Sequence, residues 1–242
     1  MTTIAIGGPF GSPFVFLGMN IVGGMACMVD RWPQSFEVML SIKGQVNTLH
    51  VALNGFTRVP PEIAQEDWII PWHVGHNMGD LGKFADVECD AYLSLDDDLI
   101  YPETYVEDFL KSSESYPNTV LTHHGNDCKG PTNSYFKMRY ANERIQCLMK
   151  NDKDMILTIP GTGCTFFPGE IYSEFYSLLF DGWNHADLIA GKVLRDMGTP
   201  IRSVKHPKRY FEYLIPPVGT TIWDMTVQQD KKMTDIWNKI GL

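Results

Sequence analysis

Residues 91–106 read A-Y-L-S-L-D-D-D-L-I-Y-P-E-T-Y-V, and their reading decides the fold. Residues 91–95 are an apolar run of strand length that ends in three aspartates, Asp96, Asp97 and Asp98. Pro102 then suits the first turn of a helix on which Tyr105, Val106, Phe109 and Leu110 share one face. A buried strand that delivers carboxylates into a loop and is followed by an amphipathic helix is one unit of an α/β layer.

Outward from that unit the same alternation repeats. Apolar runs at 25–29, 48–53, 68–70, 119–122, 155–159, 164–167 and 201–204 predict strands. Patterns at 33–42, 79–87, 135–150, 183–197 and 227–240 predict helices, with Ala186, Ile189, Ala190, Val193, Leu194 and Met197 on the core face of the fourth. Asn54-Gly55 and Gly161-Thr162-Gly163 read as turns. The expectation is an α/β, Rossmann-like single domain over residues 1–242, a mixed but mostly parallel sheet flanked by helices. Residues 1–24 form an extra N-terminal segment in this reading, and 219–242 a C-terminal helical tail. In open sheets of this kind ligands bind beyond the carboxyl ends of the strands, where the aspartates fall.

Composition narrows the function. Lys plus Arg number 20 against 29 Asp plus Glu, a net charge of −9 that argues against gripping nucleic acid over a wide surface. The five cysteines contain no C-x-x-C pair, which speaks against a structural zinc site or a dense disulfide framework and for a reducing compartment. No charge precedes Asp30, but eight glycines and prolines between Gly7 and Gly24 interrupt the apolar run and no basic start precedes it. Short buried strands broken by turns fit better than a signal peptide or a membrane span, and the expected location is cytoplasmic.

Three adjacent carboxylates repel one another unless something offsets the charge. Mg²⁺ or Mn²⁺ does so naturally, since both take oxygen ligands and bind one or two carboxylates together with substrate phosphates. A solvated acidic turn that caps the helix opening at Pro102 is the alternative.

The segment Y-L-S-L-D-D-D-L-I-Y-P-E-T-Y-V (residues 92–106) resembles the D-x-D region of small GT-A glycosyltransferases of bacterial polysaccharide loci and large DNA viruses. Four further stretches resemble that family in order: D-R-W-P with Arg31, V-A-L-N-G-F (51–56), G-D-L-G-K-F (79–84), and G-T-G-C-T-F-F (161–167) followed by N-H-A-D-L (184–188). The likeness spans residues 25–209. Asp30-Arg31 stands where the family has Ser-Arg, and His185 where it has Met.

The resemblance implies a GT-A fold and transfer of a sugar from a nucleotide-sugar, by family habit a UDP-sugar, to a hydroxyl acceptor. It implies a divalent metal on Asp98, with Asp96 supporting the shell or the ribose and His206 completing it. Arg31, Asn54, Asp80, Lys83, Asp96 and Asp97 form the implied donor-binding set. Asp187 is the implied base for the acceptor hydroxyl, although Asn184 and Asp187 also have near-capping-box spacing. A saccharide is the expected acceptor, and a hydroxymethylated base of viral DNA the alternative. A nucleotidyltransferase, or a non-catalytic nucleotide- or carbohydrate-binding module, is the competing class. His123 and His124 end a strand and line the same cleft in this reading, whereas His73 and His76 order a loop. Lys205, Lys208, Arg209 and Arg202 form a basic cluster. Trp183, Trp223 and Trp237 are candidates for a sugar-stacking platform, Trp183 the best placed.

Overall fold

A computed structural model describes residues 18–179, 185–214 and 229–241. In chain order the strands are β1 (Ile21–Met28), β2 (Thr48–Asn54), β3 (Ile69–Gly75), β4 (Ala91–Leu95), β5 (Leu99–Ile100), β6 (Val120–Thr122), β7 (Gly125–Asn126), β8 (Arg144–Ile145), β9 (Ile156–Leu157), β10 (Ile159–Pro160), β11 (Cys164–Pro168), β12 (Ile201–Ser203) and β13 (Glu212–Tyr213). The helices are α1 (Gln34–Ser41), α2 (Pro61–Ala64), α3 (Tyr105–Ser115), α4 (Tyr135–Ala141), α5 (Gly169–Ser177), α6 (Ala186–Asp196) and α7 (Asp230–Ile240).

Eight strands join in one mixed sheet, ordered β3-β2-β1-β4-β11-β6-β12-β9. β1 to β4 run parallel, and β11 enters antiparallel between β4 and β6. Helices pack on both faces because the pleat sends alternate residues to opposite sides. Ala91, Leu93 and Leu95 of β4 pack into one core with Val38 and Met39 of α1 and Tyr105, Val106 and Phe109 of α3. Tyr92 faces the other core, made with Tyr172 and Phe175 of α5 and Ile189, Val193 and Leu194 of α6. Each buried Val, Leu, Ile, Phe or Met among them contributes about 1.5–3 kcal/mol. The chain adopts the expected α/β class with a mixed, helix-flanked sheet, in which four of the seven strand pairings are parallel and three antiparallel.

Several boundaries differ from the sequence reading. β1 begins at Ile21 and runs through Gly23-Gly24, so residues 21–24 belong to the sheet and not to an N-terminal extension. A Cβ on Gly24 would lie 1.8 Å from the Tyr92 hydroxyl, so this glycine marks a close approach and not a turn. Residues 79–83 form a 3-10 turn and the chain is then extended, in place of a helix over 79–87. The helix predicted over 135–150 stops at Ala141: Asn142 turns to extended backbone, and Arg144–Ile145 pairs with β7. The segment 155–159 divides between two sheets as β9 and β10. Residues 1–17, 183–184 and 227–228 of the predicted segments lie outside the described residues, as do Trp183 and Trp223. Among the described residues no helix is long and apolar enough to cross a membrane.

Candidate functional site

β1, β2, β4, β6 and β12 all point their carboxyl ends at one edge of the sheet, and antiparallel β11 begins there. The topology therefore gathers Arg31, Asn54, the 79–83 turn, the three aspartates, His123-His124, the 161–163 turn and His206 along a single rim. The sequence singled out each of these segments, and the sheet explains why they meet.

The three aspartates differ sharply in environment. The Asp97 side chain is 3% exposed, its carboxylate taking a hydrogen bond from the Met28 amide at 3.0 Å and an ion pair from Arg31. Asp97 is thus turned inward to orient Arg31, which removes it from the expected donor-binding surface. Asp98 is 16% exposed and shares Arg31 Nη1 at 3.2 Å. Burial, then the charges of Asp96 and Asp97, push its carboxyl up to about 7. Asp96 keeps 40% of its side chain open while protein surrounds it, as at the floor of a cleft, and it pairs with Lys83. Lys83 holds it below the usual carboxylate range despite burial. The first and third aspartates thus remain for a ligand and the second does not.

Lys83 is 5% exposed. Burial opposes its charge, but Asp96 and Asp80 outweigh that and raise its affinity for the proton. It lies buried beneath Asp96 as a countercharge, where the resemblance implied a member of the donor-binding set. Its place is fixed by Tyr92, whose hydroxyl donates to the Lys83 carbonyl at 2.6 Å and accepts from the Ala85 amide at 3.0 Å. Asn54 is fully buried; its amide donates to the Gly79 carbonyl at 3.1 Å and accepts from the Met78 amide at 2.9 Å. Asn54 therefore holds the turn that carries Asp80 and Lys83, and both ends of its amide are engaged in doing so. Asp80 Oδ2 accepts from the Ala186 amide at 2.9 Å, capping the start of α6, while its buried Oδ1 has no partner. Burial raises the Asp80 carboxyl to about 6. Arg31 Nε is likewise buried without a partner.

Each residue of Gly161-Thr162-Gly163 serves a different side chain. A Cβ at Gly163 would fall 1.8 Å from Asp96 Oδ2, and one at Gly161 2.6–2.8 Å from His124, so both glycines make room for the rim. Thr162 donates twice to Asp187 Oδ1, from its amide at 2.8 Å and its hydroxyl at 2.7 Å. α6 is preceded by His185 at its N-cap position, so Asp187 sits in its first turn and bonds the 161–163 turn, while Asn184, the other member of the near-capping-box spacing, lies outside the described residues. Tyr101 locks the arrangement: its hydroxyl donates to the Gly163 carbonyl at 2.6 Å and accepts from the Asp96 amide at 2.8 Å. Sequence reasoning missed the roles of Tyr92 and Tyr101 in holding these turns, and it singled out the turn of Thr162 without foreseeing the bond to Asp187. Gly23-Gly24 inside an apolar run was the one signal that pointed to a partner.

Beside the turn, His124 and Cys147 interact. The Cys164 thiol's hydrogen bond, and after it the His124 ring, pull the Cys147 thiol down to about 5 against burial.

His206 does not join the carboxylates. It is 4% exposed, and its ring packs against His123, Tyr210 and Phe211 at centroid distances of 5.1–6.2 Å. Among the described residues no three His, Cys, Asp or Glu side chains converge closely enough to hold a metal ion, so Asp96, Asp98 and His206 are not a preassembled ligand set. The aromatic box around His206 is the physical reason. Arg31 and Lys83 face Asp96, Asp97, Asp98 and Asp80, however, so carboxylates outnumber cations, and the excess weighs on Asp98. That excess fits a divalent cation held by one or two carboxylates and by phosphate oxygens of a substrate.

Elsewhere, Trp237 is fully buried and donates to the Gly130 carbonyl at 2.7 Å, so it is core and not a sugar platform. Arg202 is paired with Asp154 at 2.7 Å and lies over Tyr116, whereas Lys205, Lys208 and Arg209 are exposed. His73 Nε2 donates to the His76 carbonyl at 2.9 Å, ordering its loop as expected.

The chain matches no protein-family model, and no curated protein matches it as a relative.

Proposed function

We propose that this chain is a metal-dependent glycosyltransferase of the GT-A kind, which moves a sugar from a nucleotide-sugar, a UDP-sugar first, to a saccharide hydroxyl. The observation that carries the reading is the split within Asp96-Asp97-Asp98. The middle carboxylate is the most buried and lies on Arg31, while Asp96 and Asp98 keep more of their side chains exposed, although each also meets a cation. Asp98, supported by Asp96, would hold Mn²⁺ or Mg²⁺. The metal, when bound, supplies charge stabilisation for the departing nucleoside diphosphate.

The protein's own groups supply the rest. Arg31 Nε and Asp80 Oδ1, a buried donor and a buried acceptor without partners, suit a polar ligand such as a nucleotide. Lys83 and Asn54 keep the 79–83 turn and Asp96 in place beneath it. Asp187, fixed across the 161–163 turn, takes the proton of the acceptor hydroxyl while that oxygen bonds to the anomeric carbon and the diphosphate leaves with the old bonding pair.

The test is calorimetric titration of UDP, GDP and CDP with Mn²⁺, then with EDTA, on the native protein and on Asp98→Ala. The expected result is binding of UDP that disappears with EDTA and in the variant. Equal nucleotide affinity in Asp98→Ala with metal present, or no nucleotide binding by the native protein, sinks the reading.

A further inference from the structure

Asp187 is held in an unusual way for a carboxylate in the first turn of a helix. Both hydrogen bonds it accepts come from one residue of another element, Thr162, and both fall on the same oxygen, Oδ1. Thr162 is 1% exposed, so its hydroxyl has no competing water and keeps this partner. The turn on which Thr162 rides cannot drift. Gly161 is bonded through its amide to the His124 carbonyl at 2.7 Å, and Gly163 through its carbonyl to Tyr101. The same three residues abut Asp96 on one side and Asp187 on the other.

We infer that Thr162 is a positioning residue for the transfer step: by clamping Oδ1 it fixes the carboxylate plane and leaves Oδ2 as the proton-accepting oxygen. The inference rests on the proposed glycosyl transfer and assigns the device that aims its base. Charged and titratable groups that face Asp187 from neighbouring elements are Asp80, Lys83, His124 and Tyr135. None of them bonds Oδ1, so with the hydroxyl deleted the Thr162 amide alone would hold it among the described residues, and one bond no longer fixes the carboxylate plane.

Thr162→Val keeps the shape and the backbone amide but deletes the hydroxyl, and Thr162→Ser keeps the hydroxyl. Release of UDP from UDP-glucose and UDP-galactose, with Mn²⁺ and water as acceptor, measures the step. Crystal structures of both variants show the Asp187 carboxylate without any need for turnover. Thr162→Val should lower kcat about 10- to 100-fold with donor KM unchanged, as misaimed groups do. Its carboxylate should rotate away from the native orientation. Thr162→Ser should match the native protein in both readouts. An unrotated Asp187 in Thr162→Val, or a kcat that stays native while Asp187→Asn is inactive, overturns the inference. So does an equal loss in Thr162→Ser. A native protein that binds no nucleoside diphosphate instead overturns the glycosyltransferase reading itself, and the calorimetric titration identifies that case separately.

Discussion

Two groups of buried polar side chains lie along the same sheet rim, and they are accommodated in opposite ways. Beyond β1 and β4, Lys83 holds Asp96 below the usual carboxylate range, and Arg31 offsets the burial that pushes Asp97 up. Beyond β6 and β12, His123 and His206 meet aromatic rings from Tyr105, Phe109, Tyr210 and Phe211, and burial pushes both imidazoles toward the neutral form. A low-dielectric site tolerates charge only with a partner and otherwise neutralises the group. The difference teaches where a cation can be recruited. One end of the rim holds a field that needs positive charge, and the other holds rings that need none.

The largest effect should come from breaking the first arrangement. Lys83→Met removes the ion-pair partner of Asp96 and should cost about 2–3 kcal/mol, less than the full penalty for a stranded buried charge because the Asp96 side chain is 40% exposed. Urea unfolding at pH 7 measures it, and adding Asp96→Asn should recover most of the loss. A cost below about 1 kcal/mol would mean that solvent in the cleft already screens Asp96 and that the ion pair is not what keeps the rim folded.

Asp98→Asn should work in the other direction. With a folded value near 7 against an ordinary carboxyl value near 4, Asp98 binds more protons in the folded state between those limits. Native stability therefore falls as pH rises through that window, and the asparagine removes the fall. Without metal, the variant should gain about 2 kcal/mol at pH 8 and little at pH 4. Stabilisation by Mn²⁺ should vanish with the carboxylate. Thermal unfolding at the two pH values, with and without Mn²⁺, reads both effects, and a variant less stable at pH 8 contradicts the excess-charge account.

The smallest effect sharpens the contrast. His206→Phe adds another ring to an aromatic box and loses the weak Nδ1 bond to the Pro207 carbonyl, so it should change stability by about 1 kcal/mol or less. Mn²⁺ affinity should be unchanged. A tenfold loss of Mn²⁺ affinity would place His206 among the ligands and erase the distinction between the two ends.

Much of this rim is legible in the sequence because each of its residues follows an apolar run, and parallel strands must end on a common edge. Arg31 after β1, Asn54 at the end of β2 and Asp96 after β4 all follow from that rule. What stays hidden is the orientation of side chains whose partners are remote in the chain. Nothing near Asp97 announces that it turns inward, since its partners are Met28 and Arg31. Asn184 and Asp187 have the spacing of a cap, and only the arrival of the 161–163 turn reveals the Thr162 bonds that Asp187 accepts. The helix predicted past Ala141 fails for the same reason. Its local pattern persists, but pairing of Arg144–Ile145 with β7 is a long-range contact that overrides propensity. Trp237, read as a candidate platform, lies fully buried under residues about a hundred positions earlier.

The antiparallel entry of β11 between β4 and β6 also bears on how the protein reaches its working state. Arg31, Lys83, Asp96, Thr162 and Asp187 are distant in the chain, and the strand that joins the two halves of the rim is preceded by both of its neighbours. A growing chain can form β1, β2 and β4 early, yet Asp96 has no neighbour in the 161–163 turn until β11 slots in, and Thr162 has no carboxylate to clamp until α6 docks. Such long-range closures are slow steps in folding. The assembled rim is therefore a late product of synthesis: a ribosome-bound chain that ends before α6 carries the aspartates but not the device that uses them.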